Sequence, residues 1–203
     1  MEKTMIRTVW TLALAGLLWW PIPNGWAYDR DDLDQLLKTN QCRKCDLSGA
    51  DLSGRFLANA DLRAANLKGA NLSRSNLWSA NLKDASLVLA NLGHAHLARA
   101  SLNSADLSGA NLANANLSAA RMPYAWLNRA RLTSAQLGLA NLHGARLQGA
   151  DMSRASISQT DLRKANLTGA IMRKTDFGNG EVLISLKQIS TLAVYDGPQK
   201  WKP

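Results

Sequence analysis

The sequence predicts an all-β solenoid, a coil of short extended sides with a short helical cap at each end. Three observations carry this. From Asp46 to Phe177 the chain repeats every five residues, 27 times, without insertion or deletion. The centre of the unit is Leu in 22 of 27 cases, the others being Met122, Met152, Ile157, Met172 and Phe177. The position two before it is Ala in 22 of 27, and between the two stands Asn nine times and Asp seven times. A period of five is neither the 3.6 of a helix nor the 2 of a flat strand. Residues two apart in an extended segment point the same way, so Ala and Leu face a shared axis. The polar positions point outward or turn a corner. One such side buries almost nothing, and only stacked coils make a continuous core.

Units such as Ala60-Asp61-Leu62-Arg63-Ala64 and Ala110-Asn111-Leu112-Ala113-Asn114 resemble the signature of the pentapeptide-repeat family, over about two-thirds of the chain. The resemblance implies a right-handed quadrilateral β-helix with four pentapeptides per turn. Periodicity alone leaves a triangular coil open. On the quadrilateral reading residue j stacks on j+20, with coils ~4.8 Å apart and nearly seven coils in a rod of roughly 30 Å.

Residues 1–27 read as a separate object. Lys3 and Arg7 give a charged start, Val9 to Trp20 is apolar, and Gly25-Trp26-Ala27 offers small residues at −3 and −1 of a cleavage site. This is the layout of a secretory signal peptide. The alternative is an uncleaved anchor, but twelve apolar residues are too few to span a bilayer as a helix. The chain is therefore expected to be exported, to a periplasm or a thylakoid lumen, with no membrane span after cleavage.

Residues 28–45 read as an N-terminal helical cap. Asp31 and Asp32 can cap and charge the helix start, with Leu33, Leu36 and Leu37 on one face. A first coil exposes unpaired edges and an open core, which such a cap must cover. The phrase from Leu36 to Ala50 resembles the start of exported pentapeptide-repeat proteins, which often carry Cys-x-x-Cys before the first repeat. Cys42 and Cys45 are the only cysteines. A redox pair and half a zinc site are the reactive readings, but no second Cys/His pair stands at ligand spacing. An exported chain permits the third, a structural disulfide pinning the cap to the first coil. No cofactor or metal is expected.

The repeat occupies 46–177, and 178–203 form a C-terminal cap and tail. Gly178-Asn179-Gly180 turns the chain, and Val182, Leu186, Ile189 and Ala193 then fall at helical spacing. Val182-Leu183-Ile184 reads equally as a last strand, and Trp201 is expected to fold back onto the final coil.

With 24 Lys and Arg against 15 Asp and Glu, the net charge is +9, and removing Glu2, Lys3 and Arg7 leaves +8. Some pentapeptide-repeat proteins mimic DNA through a strongly acidic surface and protect gyrase. A basic, exported rod fits neither condition, and no nucleic-acid partner is expected. The positive charge is spread over the rod, as suits a solvated surface. Arg163, Lys164, Arg173 and Lys174 near the C-terminal end are the candidate site for an anionic partner.

Catalysis needs polar groups converging in a concavity, and a regular solenoid offers flat walls. His94, His96 and His143 read as surface residues. The Asp residues before the centre interchange with Asn from unit to unit. A carboxylate chosen for proton transfer would not be replaced by an amide, whereas both accept local backbone hydrogen bonds, and Asn stacks in ladders. Units that break the pattern are the candidates for partner contact. Arg55 sits in a slot meant for Ala, so the first coil is expected to bulge and release it to solvent. Phe56 and Trp78 share a face in adjacent coils, and Tyr124 and Trp126 mark a corner. The functional expectation is a non-enzymatic structural or protein-interaction rod whose partner is another protein. A module binding an anionic envelope polymer through the basic cluster is the alternative. Dimerisation through an end stays open.

Overall fold

The computed structural model describes residues 28–179, 182–184 and 186–195. The signal-peptide reading of 1–27 and the fold-back of Trp201 fall outside the described residues. Within them the chain is a coil of parallel single-residue bridges, each joining j to j+20, from Gln41↔Asp61 through Ser156↔Asp176. Corners recur every five residues, so each turn has four sides.

The hydrogen bonds explain why the unit has five residues. In the unit centred on Leu92, Asn91 N–H donates to Ala70 O at 2.9 Å in the coil before. Leu92 N–H and His94 N–H donate to Asn111 O (2.7 Å) and Ala113 O (2.9 Å) in the coil after. Ala95 N–H closes the corner on Leu92 O at 3.0 Å. Four of the five donors are thus satisfied by backbone, and a fifth, that of Gly93, is left over. Asn91 Oδ1 accepts it at 3.2 Å. The same bond is made at all 16 units with Asn or Asp before the centre, at 2.8–3.4 Å. A partly buried N–H without water needs an acceptor, and either residue type supplies one. That requirement accounts for their interchange.

The corner residue two after the centre has positive φ in every unit from Gly49 to Lys174. Glycine takes it freely, yet Leu89, Tyr124 and Leu139 hold it as well, at φ 58–62°. An L-residue there costs roughly 1–2 kcal/mol, which the pairing above and below offsets. Inside, every Leu at a unit centre and nearly every Ala is buried. The non-Ala residues Ser75, Thr160 and Thr175 are buried too. Their hydroxyls donate to Leu72 O, Leu137 O and Met152 O at 2.7–2.9 Å, so a small alcohol fits the slot without an orphaned group.

The coil starts five residues before the first unit legible in the sequence. Gln41 pairs with Asp61, Cys42 N–H donates to Asp61 O at 2.8 Å, and Lys44 N–H to Arg63 O at 2.9 Å. Asn40 to Lys44 is a pentapeptide whose centre is Cys42, hidden because neither Leu nor Ala marks it.

Helix α1, Arg30–Thr39, lies over this first turn. Its N-cap is Asp29, which accepts from Asp31 N–H and Asp32 N–H at 2.8 and 3.3 Å, rather than Asp31 or Asp32. The helix closes the core with Leu36, buried, and Leu33, partly buried. Leu37 was expected on the same face but is 43% exposed, because the end of a narrow coil admits only one ridge of side chains. Asp32 Oδ2 accepts from Asp46 N–H at 2.6 Å, and Asp29 N–H donates to Asp46 O at 2.9 Å. The cap thus stands in for a preceding coil on that side.

At the other end the helix is shorter than the spacing predicts. Helix α2 is only Leu186–Ile189, and the residues around it continue the coil. Leu183 bridges Asp161, and strand β1, Ile171–Met172, pairs in parallel with β2, Val194–Tyr195. The register has grown from 20 to 22 and then 23 residues per turn, two extra residues entering between Asp176 and Leu183 and the third between Leu183 and Val194. Gln188 Nε2 donates to Leu162 O and Ala165 O at 2.7 and 2.9 Å, satisfying the last regular coil.

Candidate functional site

The repeat consumes its own polar groups, and what remains for function is the pattern of exceptions. Cys42 and Cys45 are disulfide-bonded, with sulfurs 2.03 Å apart. Cys42 fills a Leu slot and Cys45 the next Ala slot, so the bond crosses the interior of one corner. It therefore staples the first turn of the coil to itself and does not reach the helix directly, as the sequence had suggested. The helix touches it where Cys42 Sγ lies 3.0 Å from Asp32 O, a sulfur with no proton to donate in the disulfide. Among the described residues Asp32, Cys42 and Cys45 offer ligand atoms within 4.8 Å of one another. The sulfurs are bonded to each other and Asp32 holds Asp46 N–H, so these atoms are already committed.

Two carboxylates are gripped by arginines. Asp161 accepts from Arg163 Nε and an Arg163 terminal nitrogen at 2.9 and 2.8 Å. This lowers the Asp161 pKa and raises that of Arg163. Asp61 accepts the same pair from Arg63 at 2.8 and 2.7 Å, and Arg43 Nε adds a third bond at 2.6 Å. The Asp-x-Arg spacing sets the side chains two apart on one face, at the reach a bidentate pair requires. Asp51 is held below the usual range by the Ser53 hydroxyl and N–H, with Asn71 contributing. It heads the ladder Asp51–Asn71–Asn91–Asn111, each amide Nδ2 donating to the oxygen above at 2.9–3.3 Å.

The four basic residues do not come together. At 20 residues per turn, positions ten apart lie half a turn apart, which places Arg163 and Lys164 on the side opposite Arg173 and Lys174. Arg163 is also ion-paired with Asp161. The sequence pattern, read as a linear cluster, overlooked this geometry.

The aromatics are exposed where the pattern placed them. Phe56 (76%) and Trp78 (38%) lie on one side in adjacent coils. Tyr124 (58%) and Trp126 (41%) flank one corner. Tyr124 lies across Gly144, where an added Cβ would meet its ring at 2.6 Å, and packs edge-on to His143 at 5.9 Å. The Arg146 guanidinium sits 4.3 Å from the centre of the Trp126 ring, a cation–π contact that j+20 stacking could have revealed. His94 and His96 are exposed, and among the described residues neither belongs to a cluster of three or more ligand groups. Arg55 is exposed, but without the expected bulge. Its N–H still bonds Leu52 O at 3.2 Å and its carbonyl still accepts from Asn76 N–H at 2.9 Å. In the first coil an Ala slot opens past the cap, so the side chain leaves there and the backbone stays in register.

A four-sided parallel coil with a Leu–Ala interior and Asn or Asp before the centre of 16 of its 27 units defines the protein as a pentapeptide solenoid. The sequence profile of pentapeptide repeats matches in eight copies between residues 41 and 179, and the chain belongs to the pentapeptide-repeat family. The profile's first residue is the one where the coil begins. No curated protein matches it in sequence. Among solved structures, QnrB1, a plasmid-mediated fluoroquinolone resistance protein, is similar at TM-score 0.61 and 24% identity in a trypsin-treated form. The match covers 76% of this chain and 78% of that one. HetL, involved in heterocyst differentiation regulation in the cyanobacterium Nostoc sp. strain PCC 7120, shares 29% identity over 70% of this chain and 86% of its own, at TM-score 0.33. A pentapeptide-repeat protein of the Arabidopsis thaliana thylakoid lumen shares 28% over 76% and 75%, at TM-score 0.23. The QnrB1 likeness speaks to the fold alone. Among the described residues no helix is long and apolar enough to cross a membrane.

Proposed function

We propose that this chain is an exported, non-enzymatic rod that contacts another protein through its exposed aromatic side chains. The coil is taken to be right-handed, as its family membership implies. The observation that carries the reading is the distribution of polar groups. Past the edge of the first coil, backbone donors and the Asn and Asp side chains are spent on the coil itself, while Phe56, Trp78, Tyr124 and Trp126 keep between 38% and 76% of their surface exposed. Exposed aromatics of this kind are favoured at protein contacts. Export rests on the layout of residues 1–27 and on the disulfide, which suits an oxidising compartment. The polymer-binding alternative loses support because its four basic residues lie on opposite sides.

Two measurements test the reading. Intact mass of the native protein from exported and cytoplasmic fractions should give a chain starting at Tyr28 and two hydrogens light. A full-length, reduced chain in the cytoplasm would overturn export. A photo-reactive residue in place of Tyr124 or Phe56 should cross-link one defined protein that the same residue in place of Asn71 does not. Equal capture at all three positions would sink the contact reading.

A further inference from the structure

The cap does not complete the first coil evenly. By the 20-residue register, the segment facing Asp51 to Phe56 from above would be residues 31–36, and these are spent on α1 instead. On the sides of Gln41 and Asp46 the cap compensates. Gln35 Nε2 donates to Gln41 O at 2.8 Å, Asp32 Oδ2 accepts from Asp46 N–H at 2.6 Å, and Asp29 N–H donates to Asp46 O at 2.9 Å. Beyond the gap, Asn40 Nδ2 donates to Ala58 O at 2.7 Å. Between these points nothing does. Among the described residues the N–H groups of Asp51 and Phe56 and the carbonyls of Asp51, Ser53 and Phe56 bond nothing, although their equivalents one turn later, at Asn71, Ser73 and Asn76, are all paired. Asp51, Ser53 and Phe56 are all exposed.

Beside this edge lies a groove of about 460 Å³, lined by residues 36–40 of the cap and by Arg55, Phe56 and Leu57. Among the described residues Phe56 is the most exposed of the large apolar side chains, and Leu37 is also open. Arg55 makes no ion pair among the described residues.

We infer that the open edge from Asp51 to Phe56 docks a polypeptide segment of another protein by backbone pairing, the segment turning with the coil at the Gly54 corner, resting on the reading of the rod as a protein-interaction module. Strand edges template such pairing, with main-chain bonds giving affinity and flanking side chains giving choice. The complementary segment supplies carbonyls to the Asp51 and Phe56 N–H groups and N–H groups to the three carbonyls. An acidic side chain meets Arg55, and an apolar neighbour covers Phe56 and Leu37. A second copy of the rod does not fit this edge coil to coil, because each copy's α1 stands over its own first coil.

The test uses the full-length chain, isotope-labelled for amide NMR. The probe is an acetylated, amidated peptide Thr-Leu-Glu-Val-Thr, with Thr-Leu-Lys-Val-Thr as control. Without peptide, Asp51 and Phe56 amides should exchange rapidly while those of Asn71 and Asn76 are protected. Slow exchange at Asp51 and Phe56 would mean that the chain's own remaining residues fill the edge, and would overturn the proposal. Millimolar Glu peptide should shift and protect Asp51 and Phe56, and should do so at least about threefold more tightly than the Lys control. Phe56→Pro removes an edge donor that the fold does not use and should abolish the effect. Arg55→Glu leaves the backbone intact and should invert the Glu/Lys preference. Absent shifts, or binding unchanged in both variants, would overturn the proposal. Cross-linking at Tyr124 is untouched by either variant, so failure of the edge is distinguishable from failure of the interaction reading.

Discussion

The side-chain acceptor at each unit makes a prediction that separates charge from hydrogen-bond role. At Asn116 the side chain does one recognised job, accepting Ser118 N–H at 3.0 Å. Asn116→Ala leaves a half-buried N–H without its partner, which costs about 1 kcal/mol. Asn116→Asp keeps the acceptor in place and should stay within about 0.5 kcal/mol of the parent. Asn91 is different, because its Nδ2 donates to Asn71 Oδ1 at 3.3 Å while its Oδ1 accepts from both Gly93 N–H and Asn111 Nδ2. Asn91→Asp sets a carboxylate oxygen against the Asn71 oxygen with no proton between them, and should cost about 1–2 kcal/mol. The assay is urea unfolding of the full-length chain followed by circular dichroism. With a urea dependence of about 2 kcal/mol per molar, the midpoint should fall by about 0.5 M for Asn116→Ala and 0.5–1 M for Asn91→Asp, and scarcely move for Asn116→Asp. If Asn116→Asp falls as far as Asn116→Ala, acceptance by the side chain is not what the unit needs, and the account of the five-residue period fails.

Three further outcomes follow from the same structure. Gly144→Ala adds a Cβ against the Tyr124 ring at a corner with φ +65° and should cost about 1–3 kcal/mol. In a double-mutant cycle Tyr124→Ala should recover the steric part and leave the backbone part. Reducing the Cys42–Cys45 bond removes a four-residue loop constraint of about 2 kcal/mol, and should lower the melting temperature by about 4–8 °C. An unchanged melt in reductant would show that the bond does not constrain the unfolded chain. Asp161 has its folded pKa lowered, chiefly by the bonds from Arg163. Its contribution is present above the ordinary carboxylate value and is lost as pH falls through the lowered one. Asp161→Asn should therefore flatten the loss of stability below about pH 4, modestly, because Arg163 is exposed to solvent and salt. An unchanged acid limb would refute this.

Regularity decided how much of this protein was legible in one dimension. The five-residue spacing of Leu and Ala determined the coil, the interior and the polar exterior, because only stacking buries such a pattern. The Asn/Asp interchange pointed to a local hydrogen-bond role, since two residue types share only what both can do. Stacking at j+20 came through the family resemblance, and the structure agrees.

What the sequence did not determine lies where the repeat stops or where position on the perimeter matters. The unit from Asn40 to Lys44 was invisible because Cys42 replaces the marker Leu, and only its hydrogen bonds to Asp61 and Arg63 reveal it. Leu37 looked like a core residue because helical spacing gives a face but not the width of what it covers. Arg163 and Arg173 looked like neighbours because sequence distance is short, while a square coil places them on opposite sides. The unpaired edge from Asp51 to Phe56 exists only because residues that would have paired with it fold as a helix. The repeating sequence dictates which groups each coil needs from its neighbours. Whether a neighbour supplies them at the end of the rod depends on the path of the cap, which is a matter of tertiary structure.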